Sequence, residues 1–315
     1  MGERRALRAL SLFAALAFVG LCSGCSINQL AVRAAAGFLA GAGGSTVFTG
    51  DDDPELVGAA LPFALKTYEA LLESDPRNAP LALATGRAFV GYAFAFVQAP
   101  SDELPPEQVQ AQQEMRLRAK KLFLRGRAYV LQGMEVRRPG FTAALEKRDA
   151  EDALRLARRD DVDYLYWTAA AWMAAFSADP FDFSLIVAVP RAVALLQQVQ
   201  AWDSAYGNGA VQEILISFYG GAPADLGGGE QKARESFQRA VQLSRGLHVA
   251  PYIALATTVS VKNQDVREFR DLLGKALAID VNADIPDRLV NIINQRRARW
   301  LLEHEGDYFL QEGGD

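Results

Sequence analysis

The chain has 315 residues, a net charge of −5 at neutral pH and only two cysteines. This length allows one large core or two packed halves. The mildly acidic balance argues against a nucleic-acid partner and against a broad electrostatic attraction to anionic lipid.

The first 24 residues have the pattern of a bacterial lipoprotein signal peptide. Three arginines precede an apolar run over residues 10–21, and Ser23 and Gly24 lead into Cys25. Cys25 is therefore predicted to carry a diacylglycerol and to become the new N-terminus, which anchors the chain to a membrane by lipid. Cys22 stands where leucine is usual, so an ordinary cleaved signal or an uncleaved anchor are the alternatives. Ser26 favours the outer membrane over the inner one in a Gram-negative host.

Cleavage would remove three Arg and one Glu and would make the net charge −7, with Cys25 as the one remaining cysteine. An intrachain disulfide is then excluded. Residues 25–50 are predicted as the lipidated N-terminal segment, with one small-residue helix over 27–40 and a Gly-rich loop over 41–50. No stretch after the signal peptide is expected to reach membrane-spanning length.

Residues 51–310 are predicted to form one helical domain. Asp53-Pro54-Glu55 is a strong helix start, because Asp caps, Pro fits the first turn and Glu complements the helix dipole. Apolar residues then recur at helical spacing, and strand patterns are nearly absent. After the helix that ends at Asp75-Pro76, we expect helices over 81–98, 107–136, 143–158, 162–176, 183–202, 211–219, 231–244, 251–261, 266–279 and 286–303.

The lengths of these helices favour hairpins in a repeat array. Ala64, Tyr68, Leu71 and Pro76 match the tetratricopeptide frame, and residues 233–245 match it without the closing proline. The fold predicted is all-α, with degenerate tetratricopeptide-like hairpins in a compact right-handed array. An irregular helical bundle is the alternative.

Motifs for catalysis or metal binding are mostly absent from the sequence. His248 and His304 lack metal-ligand spacing, and no HExxH, CxxC, Walker or GxSxG motif is present. Both histidines are predicted to lie on the surface or to cap helices. Residues 51–53 are predicted to cap a helix, because the alternate-residue pattern of a calcium loop is missing. No enzyme activity, cofactor or metal is expected.

The sequence resembles the T-component of TRAP transporters, the TatT family. The resemblance lies in the lipoprotein start and in residues 44–48 (GSTVF), 51–57 (DDDPELV), 60–66 (ALPFALK), 68–72 (YEALL), 75–78 (DPRN) and 91–97 (GYAFAFV). It implies a periplasm-facing helical lipoprotein that self-associates, as a trimer, and binds the periplasmic solute-binding protein of a TRAP system. It also implies an apolar channel or cavity in each subunit. No catalytic residue carries over.

Aromatic residues beside runs of alanine are candidates for the wall of such a cavity. Large rings next to small residues leave gaps that either a neighbouring helix or a ligand must fill. Ordinary core packing is the alternative. The candidates are Phe89, Tyr92, Phe96, Tyr164, Trp167, Trp172 and Phe176.

The helix predicted over 107–136 carries a basic face in an otherwise acidic protein. A solvated face is the default interpretation, and a docking surface for an acidic partner or for lipid headgroups is the functional one. Its candidate partner-binding residues are Arg116, Lys120, Lys121, Arg125 and Arg127.

These features predict a transport accessory protein without enzyme activity, which binds a solute-binding protein and passes it an apolar ligand. An envelope scaffold or outer-membrane assembly factor without a small ligand is the alternative. An apolar tunnel would favour the first and a filled core with a peptide groove the second. A concave cluster of His248 with carboxylates would favour an enzyme.

Overall fold

The computed structural model describes residues 42–147 and 149–310, and within them every regular element is a helix. The all-α prediction is confirmed. The tetratricopeptide-like, right-handed arrangement stays a prediction. The predicted signal peptide, its cleavage and the lipidation of Cys25 lie outside the described residues.

Thirteen helices, numbered here in chain order, carry the fold within the described ranges. They are α1 (Ala42–Thr49), α2 (Pro54–Ser74), α3 (Ala79–Asp102), α4 (Val109–Arg137), α5 (Phe141–Leu145), α6 (Glu151–Leu156), α7 (Val162–Ala178), α8 (Phe183–Trp202), α9 (Ala210–Gly221), α10 (Glu230–Leu243), α11 (Ala250–Leu255, continued by Ala256–Ser260), α12 (Val266–Leu277) and α13 (Arg288–Glu303).

Three predicted segments differ from the structure in their secondary structure or extent. The described part of the predicted loop over 41–50 forms α1, which packs against α13 and the turn before it. The helix predicted over 143–158 is instead two short helices, α5 and α6, separated by a turn. Helix α3 was predicted to end at residue 98, but it continues through Pro100. The π-helical segment Phe94–Gln98 widens the helix just before the proline, which then removes only one backbone hydrogen bond.

Side chains cap the start of α2, as the sequence predicted, and the start of α3, where no cap was predicted. Asp53 Oδ1 accepts a hydrogen bond from Leu56 N at 2.9 Å, and Asn78 Oδ1 accepts one from Leu81 N at 3.1 Å. Each satisfies a backbone donor that the first turn of a helix leaves unpaired. The capping role predicted for Asp53 is confirmed.

The helices form a closed ring, in which the last helix packs against the first two. Each of α2, α3, α4, α7, α8, α9 and α11 packs on the next of this series, and α13 packs on α11, α1 and α2. At the closure, Arg288 Nε donates to Gly50 O at 2.7 Å, and Arg296 pairs with Glu55. Val57 and Leu61 of α2 are buried there with Leu289 and Ile293 of α13. The helices therefore surround a central space.

Helices α3 and α4 approach each other closely at two glycines. A Cβ placed on Gly86 would lie 2.6 Å from the carbonyl oxygen of Gly126 and 2.4 Å from Val130 Cγ2. Real Cβ atoms do not come so near to a backbone oxygen, so any larger residue must push the helices apart.

We therefore expect Gly86→Ala to lower the free energy of unfolding by about 1–3 kcal/mol, since overpacking outweighs the gain in helix propensity. Gly274→Ala is the matched control, because Gly274 lies within α12 and its Cβ would meet no atom within 4 Å. That control should be stabilised by up to about 1 kcal/mol. Urea denaturation followed by circular dichroism measures both, and equal stability of the two variants would contradict the close contact.

Two helices, α3 and α8, are long and apolar enough to span a membrane by length and composition. This differs from the expectation that no stretch after the signal peptide reaches that length. Both helices pack on neighbours within the fold and line its central space. Their apolar side chains therefore pack against neighbouring helices and line the cavity, and many core helices of folded proteins are similarly apolar.

Candidate functional site

The central space is a cavity of about 1710 Å³. Residues of α1, α2, α3, α4, α7, α8, α9, α11 and α13 line it. A cavity of this size exceeds the usual range for small-molecule sites, about 300–1,000 Å³. It reaches the protein surface, since its lining residue Phe181 is 92% exposed and Leu226 is 54% exposed.

One stripe of α7 forms a regular part of the wall. Every residue in it is separated from the next by one or three positions, which places them all on one helix face. From the start to the end of α7 the stripe contains Asp163, Tyr166, Trp167, Ala170, Met173, Ala174 and Ser177. The small side chains Ala170 and Ala174 leave the room that the large rings would otherwise fill.

Two π-helical segments also border the cavity. Phe94–Gln98 continues α3, and Ala256–Ser260 continues α11. A π-helical turn contains an extra residue, which rotates the side chains that follow it, and such turns are frequent at functional sites. Phe94, Phe96 and Gln98 of the first segment face the cavity, as do Thr257 and Thr258 of the second.

The structure places four of the seven predicted aromatic residues in the cavity wall: Tyr92, Phe96, Trp167 and Phe176. The ring centroids of Tyr92 and Phe96 are 5.8 Å apart. Whether this wall binds a ligand stays a prediction.

The other three predicted residues, Phe89, Tyr164 and Trp172, lie outside the cavity wall. Phe89 faces α4, where its ring is 5.6 Å from that of Tyr129. Tyr164 and Trp172 lie on the opposite face of α7 from the lining stripe and are buried in the main core. Helical spacing predicted which rings share a helix face, and it could not show which neighbour would cover that face.

Trp172 instead packs between two guanidinium groups. The Cζ atom of Arg127 lies 3.8 Å from the ring centroid and that of Arg191 lies 5.2 Å from it. Burial lowers the pKa of Arg127 to about 10, and its Nε has no hydrogen-bond partner within the described residues. Arg127 is therefore partly buried against Trp172, and its role as a partner-binding residue stays a prediction.

Most of the remaining basic residues of α4 are held by ion pairs within the chain. Arg116 pairs with Asp102 at 2.9 Å, Lys120 with Asp179 at 2.8 Å and also with Asp182, and Arg125 with Glu69. Lys121 is exposed and has no ion pair within the described part of the chain. These ion pairs connect α4 to its neighbours. They account for the basic residues of this face without a second protein that binds there.

One wall of the cavity is polar. Tyr206 Oη donates a hydrogen bond to Asp163, and the ring centroids of Tyr166 and Tyr206 are 4.8 Å apart. Burial raises the pKa of both phenols, and the carboxylates of Asp163 and Glu213 act in the same direction. Both rings therefore stay neutral in the cavity wall.

His248 lies in this polar wall, not on the surface as predicted. Its side chain is 9% exposed, its Nδ1 is 2.5 Å from Glu213 Oε1, and its Nε2 is 3.1 Å from Asp287 Oδ2. Burial lowers the pKa of this imidazole, but its contacts with Asp287 and Glu213 outweigh burial and raise the pKa to about 10. The sequence did not predict this cluster because α9, residue 248 and the turn before α13 meet only in the fold.

His304, the second histidine, stacks on Trp300 with 4.3 Å between ring centroids. Its Nδ1 lies 2.9 Å from the Trp300 carbonyl oxygen at the end of α13. This is the helix-capping position that the sequence predicted.

Comparison with known proteins identifies the kind of protein to which this cavity belongs. Residues 50–309 match the sequence model of the TRAP transporter T-component family. An uncharacterized protein of Treponema pallidum (strain Nichols) is 37% identical over 306 residues, which cover 92% of this chain and 94% of that protein. The match therefore spans every helix from α2 to α13 and all of the cavity wall that they form.

Proposed function

We infer the function from the family to which this chain belongs, the TRAP transporter T-component family, and propose that it is a lipid-anchored, periplasm-facing accessory protein of a TRAP transport system. It binds the solute-binding protein of that system and accommodates an apolar ligand in its central cavity. The single observation that carries the proposal is the cavity of about 1710 Å³, bordered by Phe96, Trp167 and Phe176.

The chemistry of the wall supports an elongated ligand that is mainly apolar. Aromatic and aliphatic side chains form much of the lining, while His248 lies in one wall together with the carboxylates of Asp163, Glu213 and Asp287. A ligand with a hydrocarbon body and one polar end would satisfy both parts, because buried polar groups need polar partners. A channel that crosses the whole fold belongs to this proposal.

The lipid anchor supports the same function. Cys25 with its diacylglycerol would hold the cavity close to the membrane, with the outer membrane favoured by Ser26. Self-association as a trimer is part of the proposal, since exposed apolar side chains such as Phe63 at 80% and Phe183 at 77% need cover.

The structure contains the cluster that would favour an enzyme, with His248 beside carboxylates in a concave wall. Two observations argue against that alternative. The nearest groups to both imidazole nitrogens are carboxylates of Glu213 and Asp287, which provide no nucleophile for His248 to activate. The family is one of transport accessories. The scaffold alternative is weakened because the core is hollow instead of filled.

The first test is affinity purification of the full-length protein from its native membranes in mild detergent, with identification of the proteins that accompany it by mass spectrometry. The proposal predicts a periplasmic solute-binding protein of a TRAP system. Recovery of outer-membrane assembly proteins in its place would contradict the proposal and support the scaffold.

A surface variant tests where that partner docks. Phe181 is 92% exposed and also lines the cavity, so it stands at the rim through which a ligand would pass. We expect Phe181→Asp to weaken binding of the solute-binding protein by at least about 2 kcal/mol, as for an aromatic anchor at an interface centre. Val109→Asp is the matched control, since Val109 is 62% exposed at the start of α4 and does not line the cavity. Isothermal titration calorimetry that finds equal affinity for the two variants would contradict this location.

A further inference from the structure

The polar wall of the cavity contains a group of side chains with the chemistry of a metal site. His248 Nε2 and one carboxylate oxygen from each of Asp284 and Asp287 lie within 4.8 Å of one another. An imidazole nitrogen with carboxylate oxygens is a ligand set that divalent transition metals accept, whereas Ca²⁺ and Mg²⁺ prefer oxygen alone.

The imidazole itself points to a missing ligand. His248 is 7% exposed, and its Nε2 is buried without an aligned hydrogen-bond partner in the described part of the chain. Asp287 Oδ2 is 3.1 Å and Asp284 Oδ2 is 3.8 Å from this nitrogen, so both carboxylates approach it without forming a well-directed hydrogen bond. An ion between the three atoms would displace the proton that Nε2 carries in the imidazolium form and would contact all three atoms.

The two aspartates are free for this role. Asp284 occupies the N-cap position of the turn Ile285–Asp287, and Asp287 occupies that of α13, yet neither side chain caps its helix. Within the described residues, each pairs with His248 and with no lysine or arginine. Two carboxylates that share one imidazole leave uncompensated negative charge, which a divalent cation would offset.

Glu213 completes the arrangement behind the imidazole. Its Oε1 is 2.5 Å from His248 Nδ1, the ring nitrogen that faces away from the two aspartates. Metal-bound histidines usually donate this second N–H to a carboxylate, which fixes the ring and strengthens its metal-binding nitrogen. Glu213 comes from α9 and His248 from the turn before α11, so this contact also fixes the site between two helices.

We propose that His248, Asp284 and Asp287 bind one divalent transition-metal ion such as Zn²⁺ or Mn²⁺, with Glu213 orienting the imidazole. His248 and Asp287 line the cavity, so the ion is open to it and can accept an oxygen of the polar end of a cavity ligand. The site does not depend on the proposed transport function, because it is tested by metal binding alone.

The test is isothermal titration calorimetry on the full-length protein in detergent, after removal of metals with EDTA. We expect one Zn²⁺ or Mn²⁺ per chain and no comparable binding of Ca²⁺. His248→Gln and Asp284→Asn should each weaken binding by more than about 10-fold, and Glu213→Gln by about 10- to 100-fold. Asp284 is only partly buried, so Asp284→Asn tests the site even if the His248 variant fails to fold.

Matched controls exclude binding elsewhere. His304→Gln removes the only other histidine of the chain, and Asp271→Asn removes a 59% exposed carboxylate outside the cluster. Both should leave the affinity unchanged. Absence of stoichiometric binding, equal binding by wild type and Asp284→Asn, or a Co²⁺ spectrum typical of thiolate ligands would each overturn the proposal.

Discussion

Replacement of Asp161 by asparagine is expected to lower the free energy of unfolding by about 3–5 kcal/mol, the largest effect on stability that we predict. Asp161 is fully buried. Its two carboxylate oxygens accept hydrogen bonds from Arg137 Nε at 2.6 Å and from Arg138 Nε at 2.7 Å, and Oδ2 also accepts one from Arg158 N at 2.9 Å. Loss of this charge leaves two partly buried guanidinium groups without their buried counterion.

The neighbouring Asp160 supplies the matched control for this prediction. Asp160 pairs with the same two arginines, but its side chain is 67% exposed. Asp160→Asn should therefore cost no more than about 1 kcal/mol, since exposed ion pairs contribute little. Urea denaturation measures both variants. Equal losses of unfolding free energy in the two variants would contradict the prediction that the burial of Asp161 makes its ion pairs more stabilising than those of Asp160.

The second large effect concerns the cavity, which Gly91→Trp is expected to block. Gly91 lines the cavity, and a Cβ placed on it would meet no atom within 4 Å. A side chain at this position can therefore extend from α3 into the cavity, whose volume of about 1710 Å³ accommodates a large ring. We expect the affinity for the apolar ligand, and with it the amount that stays bound to the protein, to decrease by at least about 10-fold, equivalent to about 1.4 kcal/mol of binding free energy.

Native mass spectrometry of the protein in mild detergent measures this occupancy. Gly274→Trp is the control, because Gly274 also has open space at Cβ but lies on α12 outside the cavity wall. Gly221→Trp should reproduce the effect of Gly91→Trp, since Gly221 lines the cavity from α9 and is equally unhindered. Full occupancy in both cavity variants would mean that the ligand binds elsewhere.

Local sequence signals predicted most of the helices. The Asp53-Pro54 start, helical spacing and proline stops are set by residues close together in the chain, and the structure has helices at Pro54–Ser74, Val109–Arg137 and Phe183–Trp202 as expected. The prediction of one helix over 143–158 was wrong, because apolar spacing alone does not reveal the turn between α5 and α6.

The cavity wall could be predicted only in part. Trp167 and Phe176 beside a run of alanines indicated a gap, and both line it. Phe89 shares a predicted face with Tyr92 and Phe96, but it packs against Tyr129 of α4 and not in the cavity wall, and helical spacing alone does not identify that neighbour. The approach of His248 to Glu213 and Asp287 depends on three distant segments, which a single sequence does not bring together.

We propose that an apolar molecule occupies the space enclosed by the helices. Crystals of the protein grown with a long-chain fatty acid that carries bromine would test this most directly, because anomalous scattering locates the bromine atoms. We expect bromine peaks inside the cavity, between Phe96, Trp167 and Phe176. Peaks confined to the outer surface, with the cavity holding only water, would contradict it.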